Sequence, residues 1–255
     1  MPGPVTPPLL ELVSVSKTYP GVKALDRVNL RVDRSGVLAL IGENGAGKST
    51  LMKILGGVVE PSEGAIRIDG AEHRALTVAG AMAAGIAFVH QELNLFDNLD
   101  VAANVMIGRE PVFAGPLKLI DRAALAAKVT PLLHRLGVDF DSATPVANLS
   151  LAQRQLVEIA KALSLEARIV IMDEPTSSLT ASETARLLKV IAELKASGVA
   201  VIFISHRLVE VAHCADRVVV LRDGRIVDTV GAHLADGRPA ATGAPGQRAR
   251  PAMGR

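Results

Sequence analysis

The sequence predicts an α/β fold: a mainly parallel β-sheet with flanking helices, into which a helical segment is inserted. Three observations carry this expectation. Short apolar runs, "VLALI" (Val37–Ile41), "IAFV" (Ile86–Val89), "IVIM" (Ile169–Met172) and "VAVIFI" (Val199–Ile204), have no polar face, as strands covered on both sides require. Segments with helix start and stop signals alternate with them. The stretch from Gln91 to about Leu163 holds no strand pattern at all.

Taken in order, residues Leu9 to Val32 alternate as two or three strands broken by the turn "YPG" at Tyr19–Gly21. Val37–Ile41 leads into a glycine-rich loop and a helix to about Leu55. A turn and a strand follow over Glu60–Gly70, then a short helix before Ile86–Val89. Asp121 to Leu136 reads as a helix with Asp121 as N-cap and Gly137 as C-cap, and Pro131 is expected to kink it. "LSLAQRQ" (Leu149–Gln155) opens another helix through an S-x-x-Q capping box, Ser150 with Gln153. Thr180–Ser197 is a helix started by Thr180 and Glu183 and ended by Gly198. "VVVLRDGRIVDTV" is a hairpin about Asp223-Gly224. Residues 1–8 and the Ala-, Gly-, Pro- and Arg-rich residues 232–255 are expected to be disordered.

The chain has 255 residues, 49% of them hydrophobic, which suffices for one large domain with a small appended part. A net charge of +2 gives no nucleic-acid footprint. The single cysteine, Cys214, forms no internal disulfide, fits a reducing compartment and reads as a small buried hydrophobe. The start "MPGPVTPPLLE" lacks the pattern of a signal peptide. The longest apolar run, Val78 to Val89, falls short of the roughly 20 residues of a spanning helix. A soluble chain is expected, with any membrane role supplied through a partner. With no Trp, one Tyr and five Phe, the core must be aliphatic.

The chemistry concentrates at two places. "GENGAGKST", comprising Gly42, Glu43, Asn44, Gly45, Ala46, Gly47, Lys48, Ser49 and Thr50, matches G-x-x-x-x-G-K-[ST] between a buried strand and a helix. Gly45 and Gly47 are expected to let the backbone wrap phosphates without Cβ clashes, and the loop N–H groups to form an anion nest. Lys48 would reach the β- and γ-phosphates and Ser49 would ligate Mg²⁺. "IVIMDEP" (Ile169–Pro175) is an apolar strand ending in two acids. Asp173 is placed to hold Mg²⁺, and Glu174 to polarise a water for in-line attack on the γ-phosphate.

With these motifs on the page, the chain resembles the ATP-binding cassette (ABC) ATPases over about Leu9 to Val230. The resemblance implies a P-loop NTPase core with an antiparallel β subdomain and an inserted helical subdomain: one nucleotide-binding domain over 9–231, with the helical part at about 92–163. It implies ATP and Mg²⁺ as ligands. It places Gln91 in the Q-loop, where it contributes to the metal site, Ser177–Thr180 ("SSLT") in the D-loop, His206 as the switch histidine at the γ-phosphate, and Tyr19 in the A-loop, stacking on adenine. "VHQELNLFDNLDVAANVMIGREP", "LKLIDRAAL", "LSLAQRQLVEIAKAL" and "MDEPTSSLT" resemble the first cassette of importers of the ribose, xylose and galactose type.

Within that resemblance, "LSLAQRQ" takes the place of the L-S-G-G-Q signature, with Leu151 and Ala152 where the glycines stand. Ser150 would then cap a γ-phosphate bound by a second cassette. The alternative is a plain helix cap. The implied partners are membrane permease subunits, a second cassette (a copy of this chain or a separate protein) and, indirectly, a sugar-binding protein, with no nucleic acid. The implied location is peripheral, at the cytoplasmic face of the membrane. The apolar segment 91–108 is expected to contact the permease. A soluble ATPase of DNA maintenance would need coiled coils or zinc modules between Lys48 and Asp173, and a translation factor would need a second cassette and a basic linker; none is in the sequence. A non-catalytic regulatory cassette is a further alternative, against which stand Lys48, Asp173, Glu174 and His206; a natural single-cassette subunit, a truncated two-cassette protein and a chain with a separately encoded partner all fit the sequence.

Overall fold

The computed structural model describes residues 7–90, 93–113 and 119–231. Among the described residues, ten strands form two sheets. The first contains β1 (Leu10–Tyr19), β2 (Val22–Val32), β4 (Glu63–Ile68) and β5 (Ala71–His73), antiparallel in the order β2-β1-β4-β5. The second contains β3 (Val37–Ile41), β6 (Ile86–Val89), β7 (Ile169–Asp173), β8 (Ala200–Ile204), β9 (Arg217–Arg222) and β10 (Arg225–Gly231), in the order β10-β9-β3-β8-β7-β6. All its neighbours are parallel except β9 and β10. The helices are α1 (Lys48–Leu55), α2 (Val78–Ala83), α3 (Val101–Val105), α4 (Arg122–Arg135), α5 (Leu151–Leu163), α6 (Ala181–Ala196) and α7 (Leu208–Cys214).

The apolar strands lack a polar face because the larger sheet separates two cores. Alternate residues go to opposite sides. Val37, Ala39, Val170, Met172, Val201 and Phe203 pack with α3, α4, α5 and α6. Leu38, Leu40, Ile169, Ile171, Ile202 and Ile204 pack with α1 and the antiparallel sheet. Both cores are aliphatic as expected, with Phe203 the largest fully buried side chain.

The capping signals are realised. Ser150 and Gln153 close a capping box at α5, and Thr180 and Glu183 close one at α6. Asp121 caps α4, and Gly137 follows that helix with φ 57°. Pro131 lies inside α4, which runs on through it to Arg135. The two-or-three-strand segment resolves into the β1–β2 hairpin. Apolar residues of 101–106, expected as an interaction surface, belong to the core: Val101 and Val105 are fully buried. Asn104, also buried, explains the local turn, since its amide nitrogen donates to the carbonyls of Phe96 and Asp100 while its oxygen accepts from the Phe96 N–H. Of the large apolar side chains described in that segment, Phe96 is the one left exposed.

Candidate nucleotide-binding site

The site lies where β3 and β7 end at their carboxyl edges, the usual ligand crevice of open α/β sheets. From Ile41 the chain turns through Gly42–Gly47 into α1. Gly45 and Gly47 have φ values of 82° and 107°. The glycine requirement at Gly47 has a further cause besides its dihedral. A Cβ there would lie 2.6 Å from the carbonyl oxygen of Ala24, and one at Gly42 would lie 2.4 Å from that of Leu221. These two glycines let the loop press against β2 and β9, whereas Gly45 faces open space. The start of α1 carries no side-chain cap, so its first N–H groups are available to an anion.

Lys48 folds back over the loop and donates from Nζ to the carbonyls of Gly42 at 2.6 Å and Glu43 at 3.0 Å. The loop borders a cavity of about 530 Å³ that Glu43, Asn44, Gly45, Gly47, Lys48, Ser49 and Thr50 share with Asp173 and Glu174. Its opposite wall is Val22, Lys23, Ala24, Asp223 and Gly224. Sequence reasoning missed that wall: the Asp223-Gly224 turn reads only as a hairpin. The turn is pinned there by the Gly224 N–H to the Ala46 carbonyl (3.0 Å), by the Asp26 N–H to the Gly224 carbonyl (2.8 Å), and by Arg225 Nε to Asp26 (2.7 Å).

Asp173 ends β7, paired with Ile204 of β8. Burial pushes its carboxyl above the ordinary range and the charge of Glu174 adds to this, while His90 and Lys48 pull the other way. Glu174 follows in a left-handed conformation, φ 45°, and its N–H donates to the Ile204 carbonyl at 3.0 Å. That bond sets Glu174 beside the loop after β8, and His206 Nδ1 lies 3.3 Å from Glu174 Oε1.

Tyr19 stands outside the cavity lining. It pairs with the wall residue Val22 at the β1–β2 turn, and Lys17 Nζ sits 5.3 Å from its ring centroid. Ser150 also stands outside the lining. Its hydroxyl accepts from the Gln153 N–H, its own N–H donates to the Gln153 side chain at 2.9 Å, and Gln153 continues to Asp139 at 3.0 Å. Leu151 beside it is 45% exposed. Gln91 lies outside the described residues. Cys214 is half-buried, with its thiol pushed up to about 12, chiefly by burial.

The oxygen donors of Ser49 and Asp173 suit a hard cation such as Mg²⁺. Among the described residues there is no group of three or more His, Cys, Asp or Glu able to hold a metal without help. Ser49 and Asp173 also line a neighbouring, more apolar cleft of about 390 Å³ whose rim exposes Val58, Val78 and Met82. No helix among the described residues is long and apolar enough to cross a membrane.

A family model described as "ABC transporter" matches residues 25–177. A protein of Agrobacterium fabrum (strain C58 / ATCC 33970), which bears the name of a ribose/galactose/methyl galactoside import ATP-binding protein, is 53% identical over 221 residues, covering 87% of this chain and 43% of that protein. The arabinose import ATP-binding protein AraG of Azospirillum brasilense is 48% identical over 222 residues, covering 87% and 42%. The chain thus spans less than half the length of these curated relatives. Among solved structures, the ADP conformation of MJ1267, an ATP-binding cassette of an ABC transporter, superposes with a TM-score of 0.79 at 26% identity, covering 88% of this chain and 91% of that one.

Proposed function

Since the chain belongs to the ABC transporter family, we propose that it is the ATP-binding and ATP-hydrolysing cassette of an importer, and that the imported solute is a monosaccharide. The observation that carries the reading is one juxtaposition: an uncapped helix start behind a glycine loop faces the Asp173–Glu174 pair, with His206 at 3.3 Å from Glu174. Loop N–H groups from Gly45 to Thr50 bind phosphate oxygens, and Lys48 adds a positive charge at the β- and γ-phosphates. Ser49 and Asp173 would hold Mg²⁺, which when bound neutralises phosphate charge. Glu174 orients the attacking water and accepts its proton. His206, beside Glu174, contacts the γ-phosphate. Tyr19 stacks on adenine.

The names of the relatives support a sugar as solute, and so does the wording of the helical segment. On this reading the chain is peripheral at the cytoplasmic face of the membrane. It works against a second cassette, to which Ser150 presents its helix start, and with permease subunits fed by a sugar-binding protein. The permease contact draws on Phe96 and on the apolar rim of Val58, Val78 and Met82.

The test is ATP binding and turnover by the purified chain and two variants. Lys48→Ala is expected to lose nucleotide affinity. Glu174→Gln is expected to keep it and to lose turnover by about 10²–10³, the scale of removing one transition-state group. Turnover by Glu174→Gln at the wild-type rate removes it from the reaction. Stimulation of the ATPase in vesicles by a ribose-, arabinose- or galactose-type permease with its sugar-loaded binding protein tests the import reading; equal rates with and without them count against it.

A further inference from the structure

Glu210 lies on α7, outside the nucleotide cavity, and is only 7% exposed. A carboxylate is buried at high cost unless its oxygens are satisfied. Here they are satisfied by two separate loops. Oε2 accepts from the hydroxyl of Thr176 and, at 3.4 Å, from that of Ser205. Oε1 accepts from Arg207 Nη1 at 3.0 Å. The Ser205 oxygen in turn accepts from the Arg207 N–H at 3.0 Å. Thr176 and Ser205 are themselves 1% and 3% exposed, so neither hydroxyl has water as a substitute partner.

The positions of these partners matter. Thr176 is two residues past Glu174, and Ser205 immediately precedes His206. Glu174 is held in a left-handed conformation that a non-glycine residue adopts only when its surroundings impose it. The loop is fixed in front by the Glu174 N–H to the Ile204 carbonyl and behind by Thr176 to Glu210. A glutamate in the first turn of a helix gains from the helix dipole, but that gain is available at the surface. It does not account for a buried acid that holds two hydroxyls from other segments.

We infer that Glu210 is a positioning residue that ties the Glu174 loop to the His206 loop and sets their separation. The inference rests on the reading of Glu174 and His206 as the hydrolytic pair. Glu210 does not line the cavity, so its removal is expected to misplace the pair without weakening ground-state binding.

The test compares the full chain with Glu210→Gln and with the near-isosteric Thr176→Val, whose missing hydroxyl leaves the α7 sequence intact. In both variants, amide hydrogen exchange of 174–179 and of 205–211 is expected to speed up together by about tenfold, while β3 and α1 keep their protection. Affinity for a fluorescent ATP analogue is expected to stay unchanged and kcat to fall by about tenfold or more, since misplacement by about 1 Å costs on the order of a hundredfold. Exchange that rises only in the mutated segment overturns the inference. So does coupled exchange with unchanged kcat, or a parallel loss of nucleotide affinity and kcat from general loosening. A wild type without ATP turnover removes the ATPase reading, and the exchange coupling then decides for or against the tie by itself.

Discussion

Two helix starts in this molecule are built in opposite ways. At α1 the position before the helix is Gly47, no side chain caps the N–H groups, and the nearby Asp173 is held above the ordinary carboxylate range by burial. At α5 the start is closed on itself: Ser150 and Gln153 satisfy each other's N–H groups, and Gln153 donates onward to Asp139. That hydrogen bond, more than the neighbouring Arg186, holds Asp139 below its usual range. The first region leaves donors open and a charge under-solvated; the second has paired its Ser150 and Gln153 N–H groups with side chains of its own. A site that awaits a ligand is recognisable by what it leaves unsatisfied, and a stable cap by what it has already satisfied. On this criterion α1 is ready for a phosphate alone. The α5 start has its Ser150 and Gln153 N–H groups paired, and the Ser150 hydroxyl, which accepts from Gln153, keeps its own proton to donate.

The largest way to break the comparison is to reopen α5. Leu151 is 45% exposed at the first helical position, where a Cβ obstructs close backbone approach. In a dimer of this chain the variant carrying both Leu151→Gly and Ala152→Gly is expected to turn over ATP faster, on the order of tenfold, because the α5 start then approaches the opposing γ-phosphate. Its Tm falls, since glycine is a poor helix former. An unchanged rate in a dimer verified by sedimentation refutes the role of the two side chains.

A smaller effect comes from Ser150→Ala. Losing an N-cap costs about 1 kcal/mol, which is about 2–4 °C in Tm for a chain of this size. Nucleotide affinity of the isolated chain is expected to stay the same, because Ser150 does not line its cavity. A loss of affinity in a verified monomer would place Ser150 at the chain's own nucleotide, contrary to the geometry.

Much of this contrast is legible in the sequence, because it is local. The glycine loop, the S-x-x-Q and T-x-x-E boxes and the Asp223-Gly224 turn each depend on neighbouring residues. Both turn residues do adopt positive φ, 48° and 73°, as that type of hairpin requires. The buried strands are legible too, since a sheet covered on both faces leaves no polar alternation to misread. What escapes is set by distant partners. β5, α3 and α7 are too short for periodicity to register; pairing with β4 decides the exposed β5, and packing decides α3 and α7. The apolar face of α3 passes for an interaction surface until α4 and α5 are seen to cover it. Gly47 is required by Ala24, and Glu210 is buried by Thr176; no spacing rule connects either pair.

The smallest and sharpest test sets the two carboxylates against each other by pH. Asp173 is raised in the fold, so the folded state binds more protons than the unfolded one over the interval between its ordinary value and its raised one. Stability from this group therefore falls as pH rises through that interval, and the full cost is present above it. Asp173→Asn removes a charge that burial disfavours, and is expected to raise Tm by about 2 °C at neutral pH while abolishing Mg²⁺-dependent turnover. Asp139 is lowered, so its contribution is present above the unfolded value and is lost as pH falls through the folded one. Asp139→Asn is expected to lower Tm slightly at neutral pH, by less than the cap substitution, because the group is largely exposed and screened. Below the folded value of Asp139 both differences should vanish, since each wild-type carboxyl is then neutral like its amide replacement. Thermal unfolding of the three proteins at neutral pH and at successively lower pH checks the signs. Two variants shifting Tm in the same direction at neutral pH would show that the two helix starts do not differ electrostatically as described.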